Sequence, residues 1–133
     1  MTILIDASLL YAYSNTNDVH HTKAKEILKN ILSDKYGGYL ITDYIFDEVV
    51  TVAQRKAGKK TAVQLGNFIL NSEIFIAEID KNIFENSWRL FQETEDLSFT
   101  DCTNIEFMKI FGIENIATFD TDFEGIEGIK VVK

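Results

Sequence analysis

Acidic residues stand at four places where a β-rich sequence would deliver chemistry. Asp6 closes Ile3-Leu4-Ile5, and Glu48 sits within Tyr44-Ile45-Phe46-Asp47-Glu48-Val49-Val50. Asp101 follows Leu97-Ser98-Phe99-Thr100, and Asp120 follows Ile116-Ala117-Thr118-Phe119. Short apolar runs of this kind read as buried strands. Open α/β sheets bind their ligands beyond the carboxyl ends of such strands. Carboxylates gathered there repel one another unless a cation neutralises them. An oxygen-only set suits Mg²⁺ or Mn²⁺, so the residues point to a divalent-metal site for phosphoryl-transfer chemistry. Any one of Asp6, Asp101 and Asp120 taken alone reads equally as a helix or turn cap. It is their common register that argues for a site.

The elements that must position these acids alternate along the chain. Strands are predicted at Ile3–Ile5, Tyr39–Thr42, Ile74–Ile79, Ile116–Phe119 and Ile129–Val132. A short helix is predicted over Ser8–Tyr13, capped near Asp6 or Ser8. A longer one over Val19–Leu32 places Ala24, Ile27, Leu28, Ile31 and Leu32 on one apolar face. Asp43–Ala57 reads as a helix capped by Asp43, with Phe46, Val49, Val50 and Ala53 inward and Gly58 as its stop. Lys59–Leu70 is helical by the same spacing. Asp80 caps a helix whose inward positions are Ile83, Phe84, Trp88 and Phe91. Thr100–Phe111 is the last helix, with Ile105, Met108 and Ile110 or Phe111 inward, ending at Gly112. The alternation predicts an α/β fold in which a mainly parallel central sheet is flanked by helices. No repeat, linker or low-complexity tract divides the 133 residues, so residues 1–133 are expected to form a single domain.

Composition narrows the function classes. A hydrophobic fraction of 46% belongs to a globular chain. No apolar run reaches the roughly 18 residues of a membrane span, and the amino terminus lacks the pattern of a signal peptide. One cysteine, Cys102, excludes an internal disulfide framework. It is expected to be a small buried hydrophobe. A cytoplasmic protein without membrane contact is expected. The net charge of −8 argues against nucleic-acid binding over the whole surface. It leaves room for a nucleic-acid enzyme whose carboxylates hold cations. Arg55, Lys56, Lys59 and Lys60 form a basic run that is either a phosphate-steering patch or a solvated helix end. His20 and His21 read as the start of a surface helix, and no Cys/His spacing suggests zinc. Tyr11, Tyr13, Tyr44 and Phe46 are candidates for base stacking, with core or dimer contacts as the plainer reading.

Four segments in order, Ile3-Leu4-Ile5-Asp6-Ala7-Ser8, Thr42-Asp43-Tyr44-Ile45-Phe46-Asp47-Glu48-Val49, Leu97-Ser98-Phe99-Thr100-Asp101-Cys102 and Thr118-Phe119-Asp120-Thr121-Asp122-Phe123, resemble the PIN-domain family of VapC-type ribonucleases. The resemblance runs nearly end to end. It implies a PIN-like three-layer fold and makes Asp6, Glu48, Asp101 and Asp120 both the metal-binding and the catalytic acids. It makes Ser8 and Thr100 the small hydroxyl residues that hold the acids or an ordered water. Asp122 rivals Asp120 as the fourth acid. Asp96, Asp47 and Asn104 are candidates for the layer behind the ligands, Asn104 because it lies one helical turn after Asp101. The implied activity is Mg²⁺- or Mn²⁺-dependent endonucleolytic cleavage of RNA. The implied partners are an RNA substrate, a cognate antitoxin and a second copy of the chain. Competing expectations are an RNA-processing nuclease without antitoxin and a non-catalytic binding module of the same fold. An aspartyl-phosphate phosphotransferase fits less well, because Asp6-Ala7-Ser8 lacks a second Asp two residues on.

Overall fold

A computed structural model describes residues 1–133. Five parallel strands, β1 (Thr2–Ile5), β2 (Gly38–Thr42), β3 (Phe75–Ala77), β4 (Asn115–Ala117) and β5 (Lys130–Val132), form one sheet in the order β3-β2-β1-β4-β5. Six helices flank it: α1 (Ala7–Ser14), α2 (His21–Leu32), α3 (Asp43–Ala57), α4 (Lys59–Asn71), α5 (Lys81–Glu93) and α6 (Phe99–Phe111). The chain runs outward from β1 through β2 to β3, then returns to the other side of β1 as β4. The strand order therefore reverses between β1 and β4. That crevice, beyond the carboxyl ends of the strands, is where such sheets place a site. The register pairs Ile5 with Ala117, so Asp6 and Thr118 leave the sheet side by side.

The central strand owes its position to composition. Ile3, Leu4 and Ile5 are fully buried, as a strand covered on both faces requires. Against it pack Leu9 and Leu10 of α1, Ile27, Leu28 and Ile31 of α2, and Ile45 and Val49 of α3 within one continuous core. α1 contacts α2 and α3, α3 packs along α4, and α5 lies on α6. No helix is long and apolar enough to cross a membrane.

Several expected details shift. Helix α2 begins at His21 rather than Val19, which is exposed, and Leu32, expected on its apolar face, is exposed at its last turn. The cap of α3 is Thr42, whose hydroxyl accepts from the Ile45 N–H at 3.1 Å, while Asp43 lies inside the helix and accepts from Ile79 N–H. Ile45 takes the fully buried place with Val49 and Ala53, leaving Phe46 and Val50 half-buried against α4. The strand expected over Ile74–Ile79 is three residues long, and the one over Ile116–Phe119 starts one residue earlier and ends at Ala117.

The largest departure is α5. Ile83 and Ser87 are its buried positions, while Phe84, Trp88 and Phe91 stay well exposed. These three rings gather around Phe99 of α6. In α6, Phe107 is buried with Ile105 and Met108, and Ile110 and Phe111 face outward. Gly58 and Gly112 stop their helices as predicted, with φ of 93° and 66°.

Candidate active site

Asp6 occupies the N-cap position of α1, yet its carboxylate makes no capping hydrogen bond. It turns instead toward the β1–β4 crevice. There Oδ2 accepts from Thr118 Oγ1 at 2.7 Å and from Ser8 Oγ at 3.2 Å, and Oδ1 accepts from Asn104 Nδ2 at 3.4 Å. Ser8 Oγ also accepts from the Phe119 N–H at 3.0 Å, and Thr118 Oγ1 accepts from the Asp120 N–H at 2.9 Å. Three elements are thereby tied together through one buried carboxylate. Burial is the main cause that raises the Asp6 pKa; the hydrogen bonds from Thr118, Ala7 and Ser8 oppose it, and the charge of Asp120 adds to it.

Asp101 is fixed by a capping box. The Ser98 hydroxyl accepts from the Asp101 N–H, and Asp101 Oδ2 accepts from the Ser98 N–H, both at 3.1 Å. The carboxylate is thus both a cap and a member of the cleft. Burial, then the charges of Asp6 and Asp120, pushes its pKa up to about 6 against the Ser98 hydrogen bonds. Glu48 projects from α3, half-buried. Burial and the charge of Asp6 push it up to about 7, with Asp101 and Asp120 adding to the effect and a hydrogen bond from the Thr100 side chain opposing it. Asp120 caps the 3₁₀ turn Thr121–Phe123 by accepting from the Asp122 N–H at 2.9 Å.

Asp6, Glu48, Asp101 and Asp120 line one cleft of about 290 Å³, together with Ser8, Tyr11, Asp18, His20 and Lys56 among others. Oxygens of Asp101, Asp120 and Asp122 also approach within 4.8 Å of one another. These two groupings share Asp101 and Asp120, and Asp122 lies exposed beside them. Its pKa is raised, chiefly by the charge of Asp120. None of the four cleft acids forms an ion pair; the chain's pairs, such as Lys81–Glu85 and Lys130–Glu114, lie elsewhere. Uncompensated like charges at such spacing are unfavourable in isolation, which is the electrostatic pattern of a cation site.

Among the other expected residues, Ser8 bonds Asp6, and Thr100 lies near Glu48, where it favours the charged carboxylate. Asn104 is buried beside Asp6 and leaves its own Oδ1 without a hydrogen-bond partner. Asp96 is exposed and close enough to Asp122 for its charge to be felt there. Asp47 is exposed on α3 and accepts from Thr51. The basic run divides. Lys56 lines the cleft and lies over the Tyr11 ring at 5.3 Å, whereas Lys59 lines a different groove with Phe46 and Val63. Arg55 and Lys60 are exposed and outside the cleft lining. Cys102 is free and buried.

Sequence reasoning missed Thr118 and His20. Thr118 is fully buried and links Asp6 to Asp120. Its signal was a hydroxyl residue two positions before a strand-end acid. His20, expected only at the start of a surface helix, lines the cleft and stacks on Phe119.

Comparison with known proteins agrees with this architecture. The 23S rRNA-specific endonuclease VapC20 of Mycobacterium tuberculosis is 24% identical over 131 residues, 97% of each chain. The crystal structure of that protein, described as a Sarcin-Ricin loop cleaving toxin, superposes with a TM-score of 0.83 at 24% identity, covering 96% of this chain and 98% of that one. A chain of a toxin-antitoxin complex from Klebsiella pneumoniae superposes with a TM-score of 0.64 at 23% identity, covering 98% and 96%. The family model described as PIN domain matches residues 3–129. The chain belongs to the PIN domain family.

Proposed function

We propose that this chain is a divalent-cation-dependent endoribonuclease and the toxin of a toxin–antitoxin pair, with Asp6, Glu48, Asp101 and Asp120 holding Mg²⁺ or Mn²⁺. The observation that carries this reading is a cleft lined by Asp6, Glu48, Asp101 and Asp120, with Asp18 as a fifth carboxylate, none of them paired with a cation of the protein. The donor set fits the ion: carboxylate oxygens suit hard, octahedral cations, and the side chains that approach one another most closely, Asp101, Asp120 and Asp122, include neither His nor Cys. The names of the similar proteins, an rRNA endonuclease and a toxin-antitoxin complex, support RNA as substrate and an antitoxin as partner.

When bound, such an ion polarises a phosphoryl oxygen and lowers the pKa of a coordinated water. The chain's own residues do the rest. Thr118, Ser8 and Asn104 hold the Asp6 carboxylate in one orientation. The Ser98 capping box commits one oxygen of Asp101 and leaves the other free for the cleft. The Thr100 side chain lies near enough to Glu48 to favour its charged form. Glu48, with its pKa near 7, gives up a proton when a cation enters, so cation binding strengthens as pH rises. Lys56 supplies the one positive charge of the cleft lining and meets a phosphate that the acids would otherwise repel.

The test is RNA cleavage by the purified chain in Mg²⁺ or Mn²⁺, with EDTA and with Asp101→Asn. The substitution keeps an oxygen for the Ser98 N–H and so preserves the cap. Expected is metal-dependent cleavage that falls by about 100-fold or more in a folded Asp101→Asn protein, the loss of roughly 2.7 kcal/mol of transition-state stabilisation. Undiminished cleavage by the folded variant contradicts the assignment. Expression should arrest growth in an Asp101-dependent way, relieved by a neighbouring antitoxin gene. An active nuclease that leaves growth unaffected points instead to RNA processing. The exposed Trp88, Phe84, Phe91, Val63 and Leu70 support self-association as a homodimer, which a monomer in light scattering would contradict.

A further inference from the structure

One wall of the carboxylate cleft is aromatic and serves none of the roles above. Phe119, immediately before Asp120, is packed against the core. The His20 imidazole stacks on its ring, with centroids 4.3 Å apart and planes within 7°. His20 is itself exposed and lines the same cleft as the acids. Its backbone is anchored at the head of α2: the His20 N–H donates to Asp18 Oδ1 at 2.8 Å, and its carbonyl accepts from the Ala24 N–H at 2.8 Å. The stack therefore builds outward from the core and ends in an imidazole at the cleft. Tyr11 and Lys56 line that cleft too, the Lys56 ammonium lying 5.3 Å from the Tyr11 ring centroid.

A flat ring and a held cation beside one another are the elements with which proteins grip single-stranded nucleic acid: bases stack on rings, and cations meet phosphates. Such local contacts matter more in a chain of net charge −8, which gains little from diffuse attraction to RNA. We propose that His20, backed by Phe119, is a base-stacking platform that seats the nucleotide next to the scissile phosphate, while Lys56 takes a neighbouring phosphate. This rests on the ribonuclease reading of the cleft. The base must be unstacked to reach the imidazole, so the platform serves a single-stranded or looped segment and not a regular duplex.

The test compares wild type, His20→Ala and His20→Phe on a short single-stranded oligoribonucleotide and on the same sequence in a duplex. A parallel series carries 2-aminopurine at one position at a time, and its fluorescence is read on binding to proteins that also carry Asp101→Asn. The platform predicts that His20→Ala raises KM about tenfold, the order of one base–aromatic stack, with kcat changed by less than about threefold. His20→Phe, which keeps a stackable ring without its nitrogens, restores KM. One 2-aminopurine position is quenched by the protein that retains His20 and by the His20→Phe variant, and that quench is lost with His20→Ala. The duplex is cut much more slowly. An unchanged KM and quench in His20→Ala overturns the inference while leaving the ribonuclease reading standing. So does failure of His20→Phe to rescue, or equal cleavage of the duplex. Wild-type protein that cuts no RNA in Mg²⁺ or Mn²⁺ overturns the ribonuclease reading, and the platform falls with it.

Discussion

Removing the cation makes the stability of this protein depend on pH in a defined direction. Glu48 rises from 4.5 to about 7 and Asp101 from 3.8 to about 6 on folding, both chiefly through burial, and Asp6 and Asp122 shift the same way. The folded, metal-free protein therefore holds protons that the unfolded chain has released. Its stability is complete below the unfolded value near 4 and is lost as pH rises through about 7. At 1.36 kcal/mol per pH unit the Glu48 rise corresponds to about 3 kcal/mol, which solvent screening at this half-buried group lowers to about 2. Asp101 contributes a similar amount, but the two share neighbours and are not additive. About 3 kcal/mol of stability should disappear between pH 5 and pH 8 in EDTA. Saturating Mg²⁺ at pH 8 should restore it, since a cation at about 100 times its dissociation constant contributes near 2.7 kcal/mol. Urea unfolding followed by Trp88 fluorescence measures each condition. Metal-free stability that stays flat or increases from pH 5 to pH 8 refutes the electrostatic account of the cleft.

Two further perturbations probe the support around the acids. Thr118→Val keeps the buried shape but deletes the hydroxyl that serves Asp6 and Asp120. It should cost about 1.5–3 kcal/mol at pH 8 and weaken Mg²⁺-induced stabilisation; an unaltered urea midpoint would show that the hydroxyl is dispensable. Lys56→Gln should flatten the slope of log RNA affinity against log salt by about 0.7, whereas Lys59→Gln, in the groove between α3 and α4, should leave it unchanged. Equal slopes from the two variants would mean that cleft placement confers no privilege on Lys56.

Much of the fold was readable because two periodicities carry it. Ile3-Leu4-Ile5 is short and wholly apolar, as a strand buried on both faces must be, and Ala24, Ile27, Leu28 and Ile31 mark one helical face. The convergence of the acids was legible for a related reason: residues just past parallel strands share one edge of the sheet. Periodicity reveals that a helix has an apolar face but not what covers it. Phe84, Trp88 and Phe91 fit an inward stripe, yet α5 buries Ile83 and Ser87 and leaves those rings around Phe99 at the surface. Thr118 was hidden because a β-branched residue at a strand end needs no further explanation. His20 was hidden because its contact with Phe119 joins distant parts of the chain, and no local pattern encodes it. The basic run looked continuous, but successive residues on a helix point in different directions, so only Lys56 reaches the cleft.

The central claim is that four carboxylates converge in order to hold a divalent cation. Crystals grown or soaked in Mn²⁺ and measured for anomalous scattering test it without reliance on any substrate. The account predicts an anomalous peak within bonding distance of carboxylate oxygens from the set Asp6, Glu48, Asp101 and Asp120, at roughly 2.0–2.2 Å, and its loss in Asp101→Asn. A well-ordered cleft with no Mn²⁺ peak, or a peak that engages none of these four acids, would contradict it.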